Sequence, residues 1–251
     1  MAFQTHHTIP PMQCDISVVI PAFNEEERLG ATLRQVVGYL RRRGVSYEVI
    51  VVDDGSRDRT IETAEALAAS LTETGVRVLR HERNRGKGAA VRTGVLASRG
   101  AEVLLTDADA STPIEEIEKL ERRLPEAPVV IGSRAVAGAD IRQHQPFYRE
   151  LMGKTFNLII HLLGVRGLQD TQCGFKLMAG DVARELCAEQ KIDGFAFDVE
   201  LVWLARRHGY RVAEVGVIWV NSPDSRVDPL RSSLSMFRDV LRMRLLHAGK
   251  R

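Results

Sequence analysis

A chain of 251 residues, 44% hydrophobic and 27% charged, is long enough to bury one sizeable core and has the composition of an ordinary folded domain. Its formal net charge of +2 gives no electrostatic footprint for nucleic acid, and no stretch approaches the ~18 consecutive apolar residues of a membrane-spanning helix. Cys14, Cys173 and Cys187 have no metal-ligand spacing and point to a reducing compartment.

Residues 1–14, with His6, His7, Pro10 and Pro11, read as a flexible leader without the apolar centre of a signal peptide. Ile16–Ile20 is a short β-branched run and predicts a buried parallel strand ending at Pro21. Asn24 is placed to cap a helix with Glu25, Glu26 and Glu27 in its first turn, running to Arg43 and ended by Gly44. Glu48–Val52 predicts a second strand ending in Asp53-Asp54-Gly55-Ser56, and Asp58 and Thr60 can cap a helix to about Leu71. Val76–Leu79 predicts a third strand. Asn84-Arg-Gly-Lys-Gly88 fails the P-loop spacing; its glycines predict a close approach of the next helix, Ala89–Ala97, to a strand or a ligand.

Val103–Thr106 predicts a fourth strand, which ends in two carboxylates, Asp107 and Asp109, around Ala108. Residues i and i+2 of a strand share a face, and at a turn they converge at its tip. Either way two hard oxygen ligands sit at a strand's C-terminal end, where open α/β sheets bind ligands. Mg2+ or Mn2+ suits such a pair and commonly also holds phosphates. Alternatively Asp109 only caps the helix predicted from Pro113 to Arg123. Val129–Ile131 predicts a fifth strand, followed by Gly132-Ser133-Arg134. Strand and helix alternate at least four times, which argues an α/β fold with a mostly parallel, Rossmann-like sheet covered on both faces. Polar residues gather at the C-terminal strand ends, which builds a site for a metal and a diphosphate better than it builds a core.

Val19–Glu25, Val51–Ser56 and Asp107-Ala-Asp109 together resemble the successive signatures of family 2 glycosyltransferases with the GT-A fold. Asp170-Thr-Gln-Cys-Gly-Phe-Lys176, Phe197-Asp-Val-Glu200 and Asn221–Val227 resemble the branch that makes dolichyl- or polyprenyl-phosphate sugars, most closely its β-glucosyltransferases. The resemblance spans roughly residues 15–246. It implies a metal-dependent, inverting transfer of a hexose from a nucleotide sugar, with UDP-glucose favoured, to a lipid phosphate. Pro21, Phe23 and Glu25 would line the nucleoside pocket, with Asp53 and Asp54 at the base. Asp107, Ala108 and Asp109 would hold ribose, metal and diphosphate, Asp109 being the more direct metal ligand. Mannosyltransferase relatives place a Gln where this chain has Ser111. Arg134 and Arg149, the latter opening a helix predicted over Tyr148–Leu163, would bind the acceptor phosphate, and Arg226 the donor diphosphate. Asp170, Gln172 and Lys176 either form a structural network or touch substrate, and Asp198 and Glu200 either position the sugar or cap a helix over Val199–Arg207. Trp203 and Trp219 read as core residues. The alternatives are a GDP-mannose-dependent transferase, a family 2 transferase with a soluble acceptor, a non-catalytic nucleotide-sugar-binding module, and a nucleotidyl transferase, which the absence of a glycine-rich loop after the first strand disfavours.

Residues 15–228 are expected to form the GT-A domain and residues 229–251 a basic amphipathic helix and tail. Leu230, Leu234, Phe237, Leu241 and Leu245 share one stripe, flanked by Arg231, Arg238 and Arg242 on one side and Arg244 on the other. Such a helix either lies on a membrane surface, here the cytoplasmic face, or docks on the domain or a second copy of the chain.

Overall fold

The computed structural model describes residues 14–70, 75–142, 167–220 and 229–248. Strands β1 (Cys14–Ala22), β2 (Tyr47–Asp53), β3 (Val76–Arg80) and β4 (Gly100–Leu105) alternate with helices α1 (Leu29–Arg43), α2 (Thr60–Ser70) and α3 (Lys87–Leu96). A 3-10 turn, Ile114–Glu116, leads into α4 (Ile117–Glu121), then β5 (Val129–Ser133) and the short β6 (Asp140–Ile141). Beyond residue 166 follow β7 (Lys176–Ala179), α5 (Gly180–Glu189), α6 (Phe197–Arg207), β8 (Val212–Gly216), β9 (Ile218–Trp219) and α7 (Pro229–Leu246).

The main sheet has the order β3-β2-β1-β4-β7-β5-β8. It is parallel except where β7 runs against β4 and β5. Alternation along each strand feeds two cores. Val18 and Ile20 pack with Leu33, Val36 and Leu40 of α1 and with Ile117 and Leu120 of α4. Val19 points the other way, toward Ala90, Val91 and Val95 of α3, Leu186 of α5 and Leu201 of α6. Burial on both faces is why these strands read as unbroken apolar runs rather than alternating ones. From β1 the chain moves to β2 and β3 on one side, then returns to place β4 on the other. The crevice at this reversal is where open sheets take their ligands. The end of β1 with the residues after it, Pro21–Glu25, and the segment after β4, Asp107–Asp109, both lie at it.

Several local expectations are corrected. The first helix begins at Leu29, with no acid in its first turn. Asn24 is not its cap: it takes a left-handed conformation (φ 56°) and ties two loops together. Its N–H donates to Ser56 Oγ (2.9 Å), and its Oδ1 accepts from Arg57 N (2.9 Å). Gly44 does end the helix, with φ 66° as a left-handed cap. β1 continues through Pro21, which pairs with Val52. The glycines of 84–88 approach a loop, not a strand: a Cβ on Gly86 or Gly88 would overlap the backbone of residues 192–194. β7 and α5 carried no distinctive signal in the sequence. The helix expected over Tyr148–Leu163 lies outside the described residues.

Candidate active site

β4 stops at Leu105, and Asp107 and Asp109 both sit in the turn that follows it at the sheet edge. Ala110 adopts φ 50° there, and Ser111 N donates to Asp109 Oδ1 (3.0 Å). Thr32 of α1 donates its hydroxyl to Ala108 O (2.7 Å), fixing the turn from the side of the first core. Both acids reach solvent, Asp107 with 34% of its side chain exposed and Asp109 with 24%.

Two cations approach them. Lys87 Nζ lies 2.6 Å from Asp107 Oδ1. Arg28 bonds Glu25 through Nε and Nη2 (both 2.7 Å) and places Nη1 4.0 Å from Asp109 Oδ2. Burial alone would raise the Asp107 pKa, but Lys87, then Lys176 and Arg134, hold the carboxyl below its usual range. Burial opposes the Lys87 charge too, yet Asp107, Asp198 and Asp109 outweigh it and raise the lysine above its ordinary value. Lys87 and Arg28 are site residues that the sequence reading missed. The glycines around Lys87 were the available signal, and Arg28 had none.

The end of β2 organises the arm that carries Lys87. Asp54, expected to bind the donor, is buried and fully engaged by protein partners. Its Oδ1 accepts from Arg85 N (2.9 Å) and lies 2.7 Å from His81 Nδ1, while Oδ2 accepts from Gly86 N (2.8 Å). Asp53 is fully buried, with Ser56 N donating to both oxygens (3.3 Å) and Arg80 Nε 3.9 Å away. Pro21 is half-buried, and Phe23 is exposed at the rim.

The signature 170–176 wraps the other side. Asp170 takes Arg134 in a fork, from Nε (2.6 Å) and Nη2 (2.8 Å), and accepts from Arg134 N (3.0 Å). Burial raises the Asp170 pKa, but Arg134 more than offsets it and the group falls below its usual range. The Arg134 guanidinium lies over Trp219, 5.4 Å from the ring centroid. Trp219 is thus a half-buried support for Arg134, whereas Trp203 packs against the core. Gly174 faces Asp107 so closely that a Cβ would overlap the carboxylate. Lys176, buried, donates to Asp198 and to Cys173 O. Burial raises the Asp198 pKa, an effect that Lys176 and Lys87 do not fully cancel. Burial also pushes the Cys173 thiol up to about 11.

Two expected residues stand apart. Glu200 is fully buried behind the site, bonded to Lys191 N, Ile192 N and His247. Gln172 turns its amide toward Met236 Sδ (3.8 Å) on α7. Arg149 and Arg226 lie outside the described residues. Among those described, no group of three or more His, Cys, Asp or Glu is placed to hold a metal alone. The donor set at Asp107 and Asp109 is hard oxygen open to solvent. It fits a cation that draws its remaining ligands from a diphosphate and water, as Mg2+ commonly does.

Solved structures share this architecture. Mannosyl-3-phosphoglycerate synthase from Rubrobacter xylanophilus aligns with TM-score 0.71 at 20% identity, over 94% of this chain and 75% of its own. Glucosyl-3-phosphoglycerate synthase from Mycobacterium tuberculosis, solved with Mn2+, uridine diphosphate and phosphoglyceric acid, aligns with TM-score 0.68 at 23% identity, over 94% and 79%. The protein is a glycosyltransferase with the GT-A fold. The family profile described as Glycosyl transferase family 2 matches residues 17–186, and the chain belongs to that family. Proteins named dolichyl-phosphate beta-glucosyltransferase from Mus musculus and Drosophila melanogaster are 38% and 39% identical to it, over 92% and 90% of this chain and 75% and 73% of theirs.

Proposed function

We propose that this protein moves glucose from UDP-glucose to dolichyl or polyprenyl phosphate, with inversion, giving a β-linked lipid-phosphate sugar. One observation carries the reading: four dolichyl-phosphate beta-glucosyltransferases match at 35–39% identity over 90–92% of the chain. The site chemistry is compatible with it. A lipid monophosphate has a second pKa of about 6 and is largely dianionic at neutral pH, so its oxygen is already a nucleophile. The protein's task is then to align that oxygen with the anomeric carbon and to receive the charge of the leaving diphosphate. Pro21, Phe23, Glu25 and Asp53 border the nucleoside end. Asp109 and Asp107 would hold Mg2+ or Mn2+, which would supply positive charge beside the leaving diphosphate. Lys87 sets the orientation of Asp107 and adds positive charge beside it. Arg134, fixed by Asp170, and Arg149 attract the acceptor phosphate, and Arg226 the donor diphosphate.

The acceptor is a membrane lipid, and we place the enzyme peripherally on the cytoplasmic face. No helix among the described residues is long and apolar enough to cross a membrane. α7 offers the contact: Phe237, Leu241, Leu245 and Leu246 are 41–76% exposed, and Arg238, Arg242 and Arg244 are exposed around them. Such a face inserts apolar groups below anionic headgroups while its arginines stay at their level. Residues 229–251 would then serve the membrane and residues 15–228 the chemistry.

The test is transfer of radiolabel from UDP-glucose into an organic-extractable product when polyprenyl phosphate and Mg2+ or Mn2+ are supplied. Label in the organic phase, abolished by EDTA, is the expected result. Label from GDP-mannose alone, or none from either donor, would overturn the substrate assignment.

A further inference from the structure

The inner face of α7 reaches the donor pocket through a continuous set of contacts. Val240 and Met243 are buried in the core, and His247, just past the helix, is 4% exposed. His247 N bonds Met243 O (3.2 Å), its ring lies 5.3 Å from Trp203, and its carbonyl accepts from Arg207 Nη1 (3.1 Å). Its Nε2 is 2.6 Å from Glu200 Oε1. Glu200 has no exposed surface, so its carboxylate depends on protein partners. Those partners are His247 and the backbone N–H groups of Lys191 and Ile192, each at 2.8 Å. Glu200 thereby pins the loop before α6 to the helix.

That loop is the floor under Lys87. Ala89 N donates to Asp193 O (3.1 Å), Gln190 Nε2 donates to Gly88 O (2.8 Å), and Arg92 Nη2 lies 2.6 Å from Asp193 Oδ1. Neither Gly86 nor Gly88 has room for a Cβ against residues 192–194. The backbone on both sides of Lys87 is therefore placed by the loop, and Lys87 in turn reaches Asp107. A side chain needed only to fill the space at 247 could be apolar. An imidazole aimed at a buried carboxylate adds a directional bond.

We propose that His247 is a positioning residue: by bonding Glu200 it holds the 190–194 loop, and through it Lys87, in register with Asp107, so that the seating of α7 sets the geometry of the donor pocket. This rests on the donor-pocket reading above. It makes the helix that faces the lipid also the helix that braces the chemistry. Coupling of this kind needs contacts that are each tight enough to transmit a displacement, and here each step is a hydrogen bond, an ion pair or a backbone contact without slack.

Two measurements on the full chain test it. In the first, amide hydrogen exchange is compared between the parent and His247→Ala, with His247→Phe as a variant that keeps bulk but has no N–H. Faster exchange over residues 84–92 and 190–196, with β1 and β2 unchanged, is expected in both variants. Faster exchange confined to 229–248 overturns the proposal. In the second, kcat/KM for UDP-glucose is measured for His247→Phe, Lys87→Ala and the double variant. His247→Phe is expected to lose about tenfold alone and to have almost no further effect once Lys87 is gone. Losses that multiply overturn it. His247→Gln, which restores an N–H donor, is expected to recover most of the loss. If the parent transfers no glucose, the substrate reading has failed, and the exchange measurement still decides the coupling.

Discussion

Gly174 is the residue that lets the signature 170–176 touch the turn that carries Asp107 and Asp109, because a Cβ there would meet the Asp107 carboxylate. Gly174→Ala is expected to displace that carboxylate and lower kcat by about 100-fold, since misplacement of about 1 Å is enough for such a loss. Steady-state kinetics beside a thermal melt checks this, and an alanine variant with parental kcat would show that Asp107 has slack. Asp170 gives a prediction of different kind. Its pKa is lowered by the Arg134 fork, so the pair stabilises the fold above the unfolded-chain value of about 3.9 and loses that contribution as pH falls through the lower folded value. Melting temperatures taken from about pH 6 down to about pH 3 are expected to fall less steeply at the acid end for Asp170→Asn than for the parent. Equal slopes would mean that the fork adds nothing to stability. At this scale the acids were legible and their partners were not. Asp107 and Asp109 stand out because spacing along one strand end is a local property. Lys87 and Arg28 meet them only because separate helices start at the same sheet edge.

At the scale of elements, α7 is divided by its surroundings. Val240 and Met243 are buried, while Phe237, Leu241 and Leu245 on the stripe read from the sequence stay exposed. The side chains of Leu230 and Leu234 lie outside those described. Replacing Phe237, Leu241 and Leu245 with serine is expected to reduce sedimentation with anionic vesicles by about tenfold or more, with the melting temperature unchanged within about 2 °C. Unchanged vesicle binding would remove the membrane role of this face, and a large drop in melting temperature would show that the face packs on protein instead. The start of α1 teaches the opposite lesson. Asn24 followed by three glutamates is a proper local start signal, yet a bond to Ser56 and another from Arg57 hold the asparagine left-handed, and the helix waits until Leu29. A loop-to-loop contact overrode a local propensity. β7 is short and its partners β4 and β5 are far from it in sequence, so its antiparallel place in the sheet had no local mark.

For the whole molecule, the donor should act as a cross-link between the halves of the sheet edge. Uridine diphosphate with Mn2+ at about 100 times its Kd is expected to add about 2.7 kcal/mol, or about 5–10 °C in melting temperature for a chain of this size. Asp109→Ala is expected to abolish that shift and the transfer reaction together. A shift that survives the substitution would remove Asp109 from the cation site. The sequence by itself determined the layered α/β architecture, since apolar runs buried on both faces cannot be hidden any other way, and it determined that acids and an arginine would meet at the strand ends. It also carried the family, because the three motifs of the first half occur in order at the ends of the first, second and fourth strands. Only the tertiary structure decided which of those residues share the pocket. Asp54 and Glu200 look like Asp53 and Asp198 in the sequence, yet one holds the Lys87 arm from inside and the other ties a loop to His247. The reason is physical: a carboxylate's task is set by the donors that surround it, and those donors come from strands and helices that only folding brings within hydrogen-bonding distance.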